Sequence, residues 1–324
     1  MSYHMSNKNV RITDNADKRG DVAANIARKS DNDIETSAHN GTNPTREQIE
    51  KLVLRALLDE AYTTPKPGLV DMHDTGAHFD MNIHTFEASA HAIAPHIAHM
   101  YVLGFSWNRE LPQLFAHVRE IGKEAEHAMF SATGGMNTHK GSIFTLGCIA
   151  TCIGYAFSHD DAPTVSHILR LCHHMTNAAL EADFAVMQNH TPRTHGEKLF
   201  IQYGERGVRA QAQQGFPIIK DVAFPVLARC FQRGMEQNTR NIFALLHIMA
   251  KLHDTNVLHR ASYDGLQWLQ QQAAIIIADK HTLSEDDMKQ VEKLNEQCIA
   301  KNISPGGAAD ILAASLFLLY MCGA

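Results

Sequence analysis

Apolar residues recur at helical spacing along most of this chain, beginning with the stripe Ile49, Val53 and Leu57 after Thr45. Alternating strand-like patterns are almost absent, and short polar loops separate the periodic segments. Further helices are predicted at 84–103, 108–131, 141–157, 163–182, 196–206, 218–233, 239–252, 262–279, 284–301 and 307–321. Ten or eleven helices joined by short loops predict an all-α fold, a single multi-helix globular domain.

The first 44 residues differ from the rest of the chain. Segment 1–44 is rich in Asn, Asp, Ser and Lys, has Tyr3 as its one aromatic residue and shows no sustained periodicity. Such a composition cannot bury enough apolar surface to fold, so a disordered tail is expected there. Thr45 and Gln48 form a capping-box pattern that starts the first helix. The predicted organisation is a tail at 1–44 and an all-helical domain at 45–324.

Charge and composition narrow the possible partners. The chain carries 29 Lys and Arg against 35 Asp and Glu, a net charge of −6, so no global basic face is expected and nucleic-acid binding is disfavoured. No uninterrupted apolar run reaches the ~18 residues of a membrane span, and no membrane partner is predicted. The six cysteines form no C-x-x-C pair and fit core positions. With no apolar signal segment near the N-terminus, a cytoplasmic location is expected.

Five irregular segments interrupt the helical pattern with Gly, Pro and polar residues. Loops on a rigid scaffold commonly carry function, which makes these segments the candidate site. They run through 64–80, 124–142, 194–217, 253–260 and 302–310.

The second segment has the features of an anion site. Gly134 and Gly135 precede a helix start near Thr138, where unpaired backbone N–H groups and the helix dipole favour negative charge. Lys140 would add a point charge for a phosphate. The spacing is not that of a Walker motif, and no strand precedes it. A plain helix–glycine–helix turn remains the alternative.

Carboxylates in the irregular segments suggest a metal. Asp254 and Asp310 are candidates for a shared Mg²⁺ site, because Mg²⁺ takes few carboxylates and retains water and phosphate ligands. Helix capping is the alternative for each of them. Glu124 and Glu126 lie two apart on a helix and diverge, so at most one should face a site.

The 21 histidines lack zinc-binding spacing such as H-E-x-x-H. Most lie within helical stretches, where a surface or partly buried position is expected. His139, His195 and His259 lie in the irregular segments and are the better functional candidates.

The five segments, in their order along the chain, resemble the triphosphoribosyl-dephospho-CoA synthase family over about residues 46–322. The stretches that carry the resemblance are Thr64-Pro-Lys-Pro-Gly-Leu-Val-Asp71, Gly76-Ala-His-Phe-Asp-Met81, Ala132-Thr-Gly-Gly-Met-Asn-Thr-His-Lys-Gly141, Asp254-Thr-Asn-Val-Leu-His-Arg260 and Asn302-Ile-Ser-Pro-Gly-Gly-Ala-Ala-Asp310. The resemblance implies a pentosyltransferase that moves the triphosphoribosyl group of ATP to the 2'-hydroxyl of 3'-dephospho-CoA and releases adenine. The product is the precursor of the prosthetic group on the acyl carrier protein of citrate lyase or malonate decarboxylase. A second transferase would attach it.

The same resemblance implies roles for individual residues. An oxocarbenium-like transition state needs nearby carboxylates, the attacking hydroxyl needs a base, and adenine needs a hydrogen-bond donor. Glu126 or Asp80 is expected to act as base and His139 to align substrate or donate to adenine. Asp254 and Asp310 are expected to hold Mg²⁺. The residues expected to bind phosphates and substrate are Lys66, Gly134, Gly135, Asn137, Thr138, Lys140, Arg209, Arg260, Ser304, Gly306 and Gly307.

The sequence departs from the family pattern in two places. After Arg209 the family tends to have two acids, where this chain has Gln211 and Gln213. Ala261 and Ser262 follow Arg260, where glycines are expected. The first departure removes two negative charges near the predicted site, which could alter activity or merely remove partners of Arg209.

Two other functions remain open from the residues alone. An all-α metal phosphohydrolase would use His-Asp pairs such as His159-Asp160 and His253-Asp254. A non-catalytic helical module would bind a carrier protein without turnover. The reaction product distinguishes them, since adenine release supports the transferase and phosphate or pyrophosphate release supports the hydrolase.

Overall fold

The computed structural model describes residues 43–159, 163–187, 192 and 195–324. Every regular element within these ranges is helical, which confirms the all-α prediction. The predicted disordered tail at 1–44 lies outside the described residues except for its last two positions. The described chain therefore begins just before the predicted first helix.

The helices follow the predicted segments closely. The α-helices are α1 Arg46–Tyr62, α2 Ile83–Phe105, α3 Leu111–Ala132, α4 Lys140–His159, α5 Val165–Met187, α6 His195–Tyr203, α7 Gly207–Gln213, α8 Phe224–Gln232, α9 Gln237–Met249, α10 Thr255–Ile277, α11 Glu285–Ala300 and α12 Gly306–Met321, with a π-helical turn at Ile219–Ala223. The predicted segment 218–233 thus consists of the π-turn and α8, and α7 is an additional short helix.

Two strongly apolar helices, α4 and α12, form the centre of the core. α4 packs against α2, α3, α5 and α12, and α12 also packs against α1, α8 and α9. By length and composition alone α4 could cross a membrane, but 78% of its most apolar window is buried inside the protein. A helix that other helices surround in a protein core is apolar on all sides, as a membrane-spanning helix is, so its composition alone does not distinguish the two.

Glycines allow α2 and α4 to approach closely. A Cβ atom on Gly104 would lie 2.0 Å from the backbone oxygen of Thr151, and one on Gly154 would lie 2.0 Å from that of Tyr101. The sequence suggested that Gly104 ends its helix, but α2 continues to Phe105. Gly104 is therefore a packing residue, because only a missing side chain permits this helix contact.

Side-chain caps set several helix starts. The capping box predicted at Thr45 is present, and Ser284 caps the start of α11. α10, however, begins at Thr255 rather than near residue 262, because Asp254 caps it. Ser262 interrupts the helix with φ 65° and ψ −177°, at the position where the predicted helix 262–279 begins.

Ser262 occupies a backbone region that is essentially restricted to glycine, at a cost of ~1–3 kcal/mol. Ser262→Gly should remove this strain, and the greater freedom of glycine in the unfolded chain offsets part of the gain. We expect the free energy of unfolding to rise by about 1 kcal/mol in urea denaturation. Ser262→Ala is the control and should match the wild type; a glycine variant no more stable than the alanine variant would contradict the assignment.

Candidate active site

The N-termini of three of the longer helices, α4, α10 and α12, border one cavity of about 640 Å³, the main cavity. This volume lies within the ~300–1,000 Å³ usual for small-molecule sites. The lining residues at these helix starts are Lys140, Gly141 and Ser142 of α4, Thr255 and Asn256 of α10, and Gly306 and Gly307 of α12. The starts of the short helices α6 and α7 also line the main cavity. Helix N-termini carry partial positive charge, so their convergence favours an anionic ligand.

Asp254 joins two of these helices through one buried carboxylate. Its Oδ1 accepts backbone N–H groups of Asn256 and Val257 at the start of α10. Its Oδ2 accepts the N–H of Ala308 in α12 at 2.9 Å. Burial raises the pKa of Asp254 to about 6, although these N–H donors oppose the rise. The predicted cap and the predicted site residue are thus the same side chain.

Asp310 projects from α12 toward α4. Its Oδ1 accepts the hydroxyl of Ser142 at 2.5 Å, and burial raises its pKa to about 8, with the neighbouring Asp254 and Glu60 charges adding to the rise. A Cβ atom on Gly141 would lie 1.9 Å from Oδ2 of Asp310. The glycine in the predicted motif therefore makes room for this carboxylate.

The donor chemistry of Asp254 and Asp310 fits Mg²⁺. Both carboxylates line the main cavity, and burial raises the pKa of each. A bound cation would lower these pKa values again by stabilising the ionised carboxylates. In the described part of the chain no group of three or more His, Cys, Asp or Glu side chains is arranged to hold a metal ion. Mg²⁺ is commonly held by one or two carboxylates together with substrate phosphates, which matches a pair of aspartates.

Lys66 lies behind the cavity wall and not in it. Its ammonium group is 1% exposed and donates to Oε1 of Glu60 at 2.6 Å. Glu60 lines the main cavity, whereas Lys66 is not among its described lining residues. Burial raises the pKa of Glu60, and the Lys66 charge opposes that rise. The ammonium group predicted to meet a phosphate is thus held by a carboxylate.

His139 is buried in the wall of the main cavity. Thr138 donates its hydroxyl to Oγ of Ser89, which lies 2.7 Å from Nδ1 of His139. The Ser89 proton is then available to Nδ1, so the imidazole proton resides on Nε2. Nε2 is buried and has no hydrogen-bond partner within the described structure. Burial, with a contribution from the Lys66 charge, lowers the pKa of His139 to about 3, so the ring is neutral.

The remaining cations of the site have protein partners. Nζ of Lys140 lies 2.8 Å from Oε2 of Glu126, and both side chains are partly exposed on the main cavity. The Arg260 guanidinium donates to the backbone oxygens of Asn302 and Ala77 and to the Asn302 side chain. Arg209 lines the cavity with its Nη1 3.6 Å from Sδ of Met187.

The structure brings most of the predicted site residues to the main cavity. These are Glu126, Asn137, Thr138, His139, Lys140, Arg209, Asp254, Arg260, Ser304, Gly306, Gly307 and Asp310. Asn137 caps the start of α4 through the Lys140 N–H. Ser304 does not cap α12, whose N-cap is Pro305; its hydroxyl lies 2.8 Å from Nε2 of His78 instead.

Four predicted residues lie outside the described lining of the main cavity: Lys66, Asp80, Gly134 and Gly135. The side chain of Asp80 is 66% exposed, with a carboxylate oxygen 4.0 Å from Nδ1 of His78. Gly134 and Gly135 adopt positive φ angles of 66° and 91°, and a Cβ on either would meet nothing within 4 Å. Their contribution in this structure is the turn between α3 and α4.

Sequence reasoning missed several cavity residues. Glu60 continues the buried face of α1 one turn after Leu57, and a carboxylate on an apolar stripe is a signal for a buried site residue. Ser142 directly follows the predicted motif, but only the fold brings it to Asp310. Ser89 is not among the described lining residues but lies 2.7 Å from Nδ1 of His139, and nothing in the sequence of α2 indicates this contact.

The two glutamines after Arg209 occupy different environments. Gln211 lines the main cavity, and its side-chain oxygen accepts the N–H of Ile218. Gln213 is outside the described lining and donates to Glu181 and Asn177. Only the first of these substitutions therefore changes the charge of the cavity wall directly.

The family model described as CitG, ATP:dephospho-CoA triphosphoribosyl transferase, matches residues 46–323. The chain belongs to this family. Curated relatives named 2-(5''-triphosphoribosyl)-3'-dephosphocoenzyme-A synthase are similar to it over most of their length. The Haemophilus ducreyi protein is 35% identical, covering 85% of this chain and 88% of the relative. The proteins of Escherichia fergusonii and Klebsiella pneumoniae are each 34% identical, covering 84% of this chain and 90% of the relative.

No solved structure matches the chain. Family membership makes the protein a transferase and confirms the resemblance identified from the five segments. The described residues contain no His-Asp arrangement that could hold the metals of a phosphohydrolase. Asp254 is a buried helix cap, and Nδ1 of the exposed His253 lies 3.5 Å from Oε1 of Glu205. Asp160, of the other predicted pair, lies outside the described residues.

The lowered pKa of His139 makes folding stability depend on pH. Between about pH 6.5 and about pH 3 the unfolded chain binds a proton at this residue and the folded chain does not, so stability falls as pH falls. We expect His139→Gln to reduce the slope by up to ~1.4 kcal/mol per pH unit in denaturation curves across this window. His281→Gln, at an exposed residue, is the control. An unchanged slope in His139→Gln would show that His139 is not a buried neutral imidazole.

Proposed function

We propose that the main cavity is where this chain transfers the triphosphoribosyl group of ATP to the 2'-hydroxyl of 3'-dephospho-CoA. The observation that carries the proposal is the convergence of the α4, α10 and α12 N-termini beside two buried aspartates. A triphosphate is the part of either substrate with the highest charge density, and such a surface suits it. Family membership supports the same substrates.

The triphosphate would lie against the three helix starts. Gly306 and Gly307 let the α12 N-terminus approach α10, since a Cβ on them would lie 2.7 Å from Nδ2 of Asn256 and 3.0 Å from Oδ2 of Asp254. Asn137, Thr138 and Lys140 border the α4 start. Mg²⁺ held by Asp254 and Asp310 would neutralise phosphate charge when bound. Arg209 would contribute a further positive charge.

The reaction exchanges one bond at the anomeric carbon of the ATP ribose. The bond from C1' to N9 of adenine breaks, and a bond from C1' to the 2'-oxygen of dephospho-CoA forms. The hydroxyl proton leaves the acceptor, and adenine gains one proton on departure. The developing oxocarbenium charge is stabilised by carboxylates near the sugar, as in glycoside chemistry.

We assign the base to Glu126. Its carboxylate lines the main cavity beside Lys140, whereas Asp80 is exposed outside it. A base must reach the proton that it abstracts, so a position in the cavity wall favours Glu126. The Lys140 ammonium group, 2.8 Å from Oε2, holds the Glu126 carboxylate in this position.

His139 would act on the leaving adenine as a hydrogen-bond donor. His139 lines the main cavity, and its buried Nε2 has no hydrogen-bond partner in the described structure. With a pKa of about 3 the imidazole does not hold an extra proton at neutral pH, so it donates a hydrogen bond instead of a full proton. The unprotonated ring nitrogens of adenine are hydrogen-bond acceptors, so one of them could accept the N–H of Nε2.

The product would be passed to a transferase that modifies an acyl carrier protein, in a citrate lyase or malonate decarboxylase system.

We also propose that the protein is located in the cytoplasm. The five buried cysteines Cys148, Cys152, Cys172, Cys230 and Cys298 form no disulfide bond, as is usual in a reducing compartment.

The direct test incubates the full chain with ATP, Mg²⁺ and dephospho-CoA and identifies the products by mass spectrometry. The expected products are free adenine and a triphosphoribosyl adduct of dephospho-CoA in equal amounts. Orthophosphate or pyrophosphate release without adenine would support the phosphohydrolase instead. Binding of an acyl carrier protein without any product would support the carrier-binding module.

Variants of the Lys140–Glu126 pair separate substrate binding from chemistry. Lys140→Ala should raise the KM for ATP by about 10-fold or more, because a charge-assisted hydrogen bond to a phosphate contributes ~1.5–3 kcal/mol. Glu126→Gln should lower kcat by ~10²–10⁴ if the carboxylate is the base. Lys289→Ala, at an exposed lysine paired with Asp286 on α11, is the control. Unchanged kinetics in both variants would remove this pair from the mechanism.

A further inference from the structure

A second cavity of about 460 Å³ adjoins the main cavity, and we call it the side cavity. It lies among α3, α4 and α5 and shares four lining residues with the main cavity: Glu126, Phe144, Met187 and Arg209. The two spaces therefore meet at the proposed base. The side cavity is thus adjacent to the space that a ligand in the main cavity would occupy.

The side cavity differs chemically from the main cavity. Most of its wall is apolar, including the buried side chains of Phe115, Ile143 and Cys148. Four of its five charged side chains are in ion pairs: Arg119 pairs with Asp183 and lies 4.5 Å from the centre of the Phe115 ring, Lys123 pairs with Glu120 and Glu126 pairs with Lys140. The fifth, Arg209, lies where the two cavities meet. Such a wall suits an uncharged chain with a few polar groups better than a phosphate.

Gly122 leaves space for a ligand in the side cavity. It lies inside α3, where glycine costs about 1 kcal/mol of helix stability relative to alanine. Neither a positive φ nor a close helix contact requires it: the nearest atom to an added Cβ is Cε of Met100 at 3.9 Å. A larger residue there would project into the cavity, so the glycine preserves the cavity volume at a cost to the helix.

We propose that the side cavity binds the pantetheine arm of dephospho-CoA; the inference rests on the proposed function. Dephospho-CoA is ADP extended by a pantetheine arm, which has a branched dimethyl carbon, two amides and a terminal thiol but no charge. The ADP part suits the polar main cavity, and the arm suits the apolar side cavity. Arg209, at the junction, is positioned for the diphosphate that connects the two parts.

The test compares two acceptors, dephospho-CoA and ADP, because ADP carries the same 2'-hydroxyl without the arm. Gly122→Phe fills the side cavity, and Ala116→Phe places the same ring on an exposed position of α3. We expect Gly122→Phe to lower the ratio of kcat/KM for dephospho-CoA over ADP by ~10-fold or more, a loss of ~1.4 kcal/mol of binding. Ala116→Phe should keep the wild-type ratio.

A binding measurement on the full chain does not depend on turnover. Calorimetric titration with pantetheine alone should show binding to the wild type and Ala116→Phe and none to Gly122→Phe. Val186→Asp, at a lining residue that is 63% exposed, tests the same wall without changing the core and should also weaken pantetheine binding.

Three results would overturn the inference. They are an unchanged acceptor ratio in Gly122→Phe, pantetheine binding of equal strength to that variant, and a rise in the KM for ATP with no change for dephospho-CoA. The last would indicate that the adenine of ATP occupies the side cavity. Failure of the proposed function is a different result, since the wild type would then release no adenine with either acceptor.

Discussion

The arrangement of the site depends on one buried carboxylate, Asp254, which accepts N–H groups from the starts of both α10 and α12. Few side chains can hold two helix N-termini together, because both ends carry partial positive charge and repel each other. A carboxylate between them removes that repulsion and satisfies backbone donors that would otherwise be unpaired. Asp310 then lies one turn into α12, where Gly141 leaves room for it beside α4.

This arrangement explains how an acidic protein with a net charge of −6 can bind polyanionic substrates. Lys66 is held by Glu60, Lys140 lies beside Glu126, and Arg260 is engaged by backbone oxygens. Positive charge for a triphosphate therefore comes largely from helix N-termini and, in our proposal, from Mg²⁺. Because Asp254 already accepts N–H groups at the starts of α10 and α12, these helix ends would act on a triphosphate through their dipoles, which are fixed in direction and need no reorganisation.

The sequence predicted the helices and most of the cavity residues, since apolar periodicity and capping patterns are local signals. It failed where tertiary contacts decide the role of a residue. Gly104 looks like a helix stop because its contact with Thr151 belongs to another helix. Lys66 looks like a phosphate ligand because its partner Glu60 lies six residues away on the buried face of α1. The predicted start of α10 is late because residues 253–260 are assigned to an irregular segment, whereas Asp254 caps a helix that begins at Thr255.

The central claim is that the three helix N-termini bind the triphosphate of ATP in the main cavity. A crystal structure of the full chain with Mg²⁺ and a non-reactive ATP analogue tests it most directly. We expect phosphate oxygens at the starts of α4, α10 and α12, with the ribose C1' facing Glu126 and the adenine next to Nε2 of His139. A triphosphate bound in the side cavity or on the outer surface would contradict it.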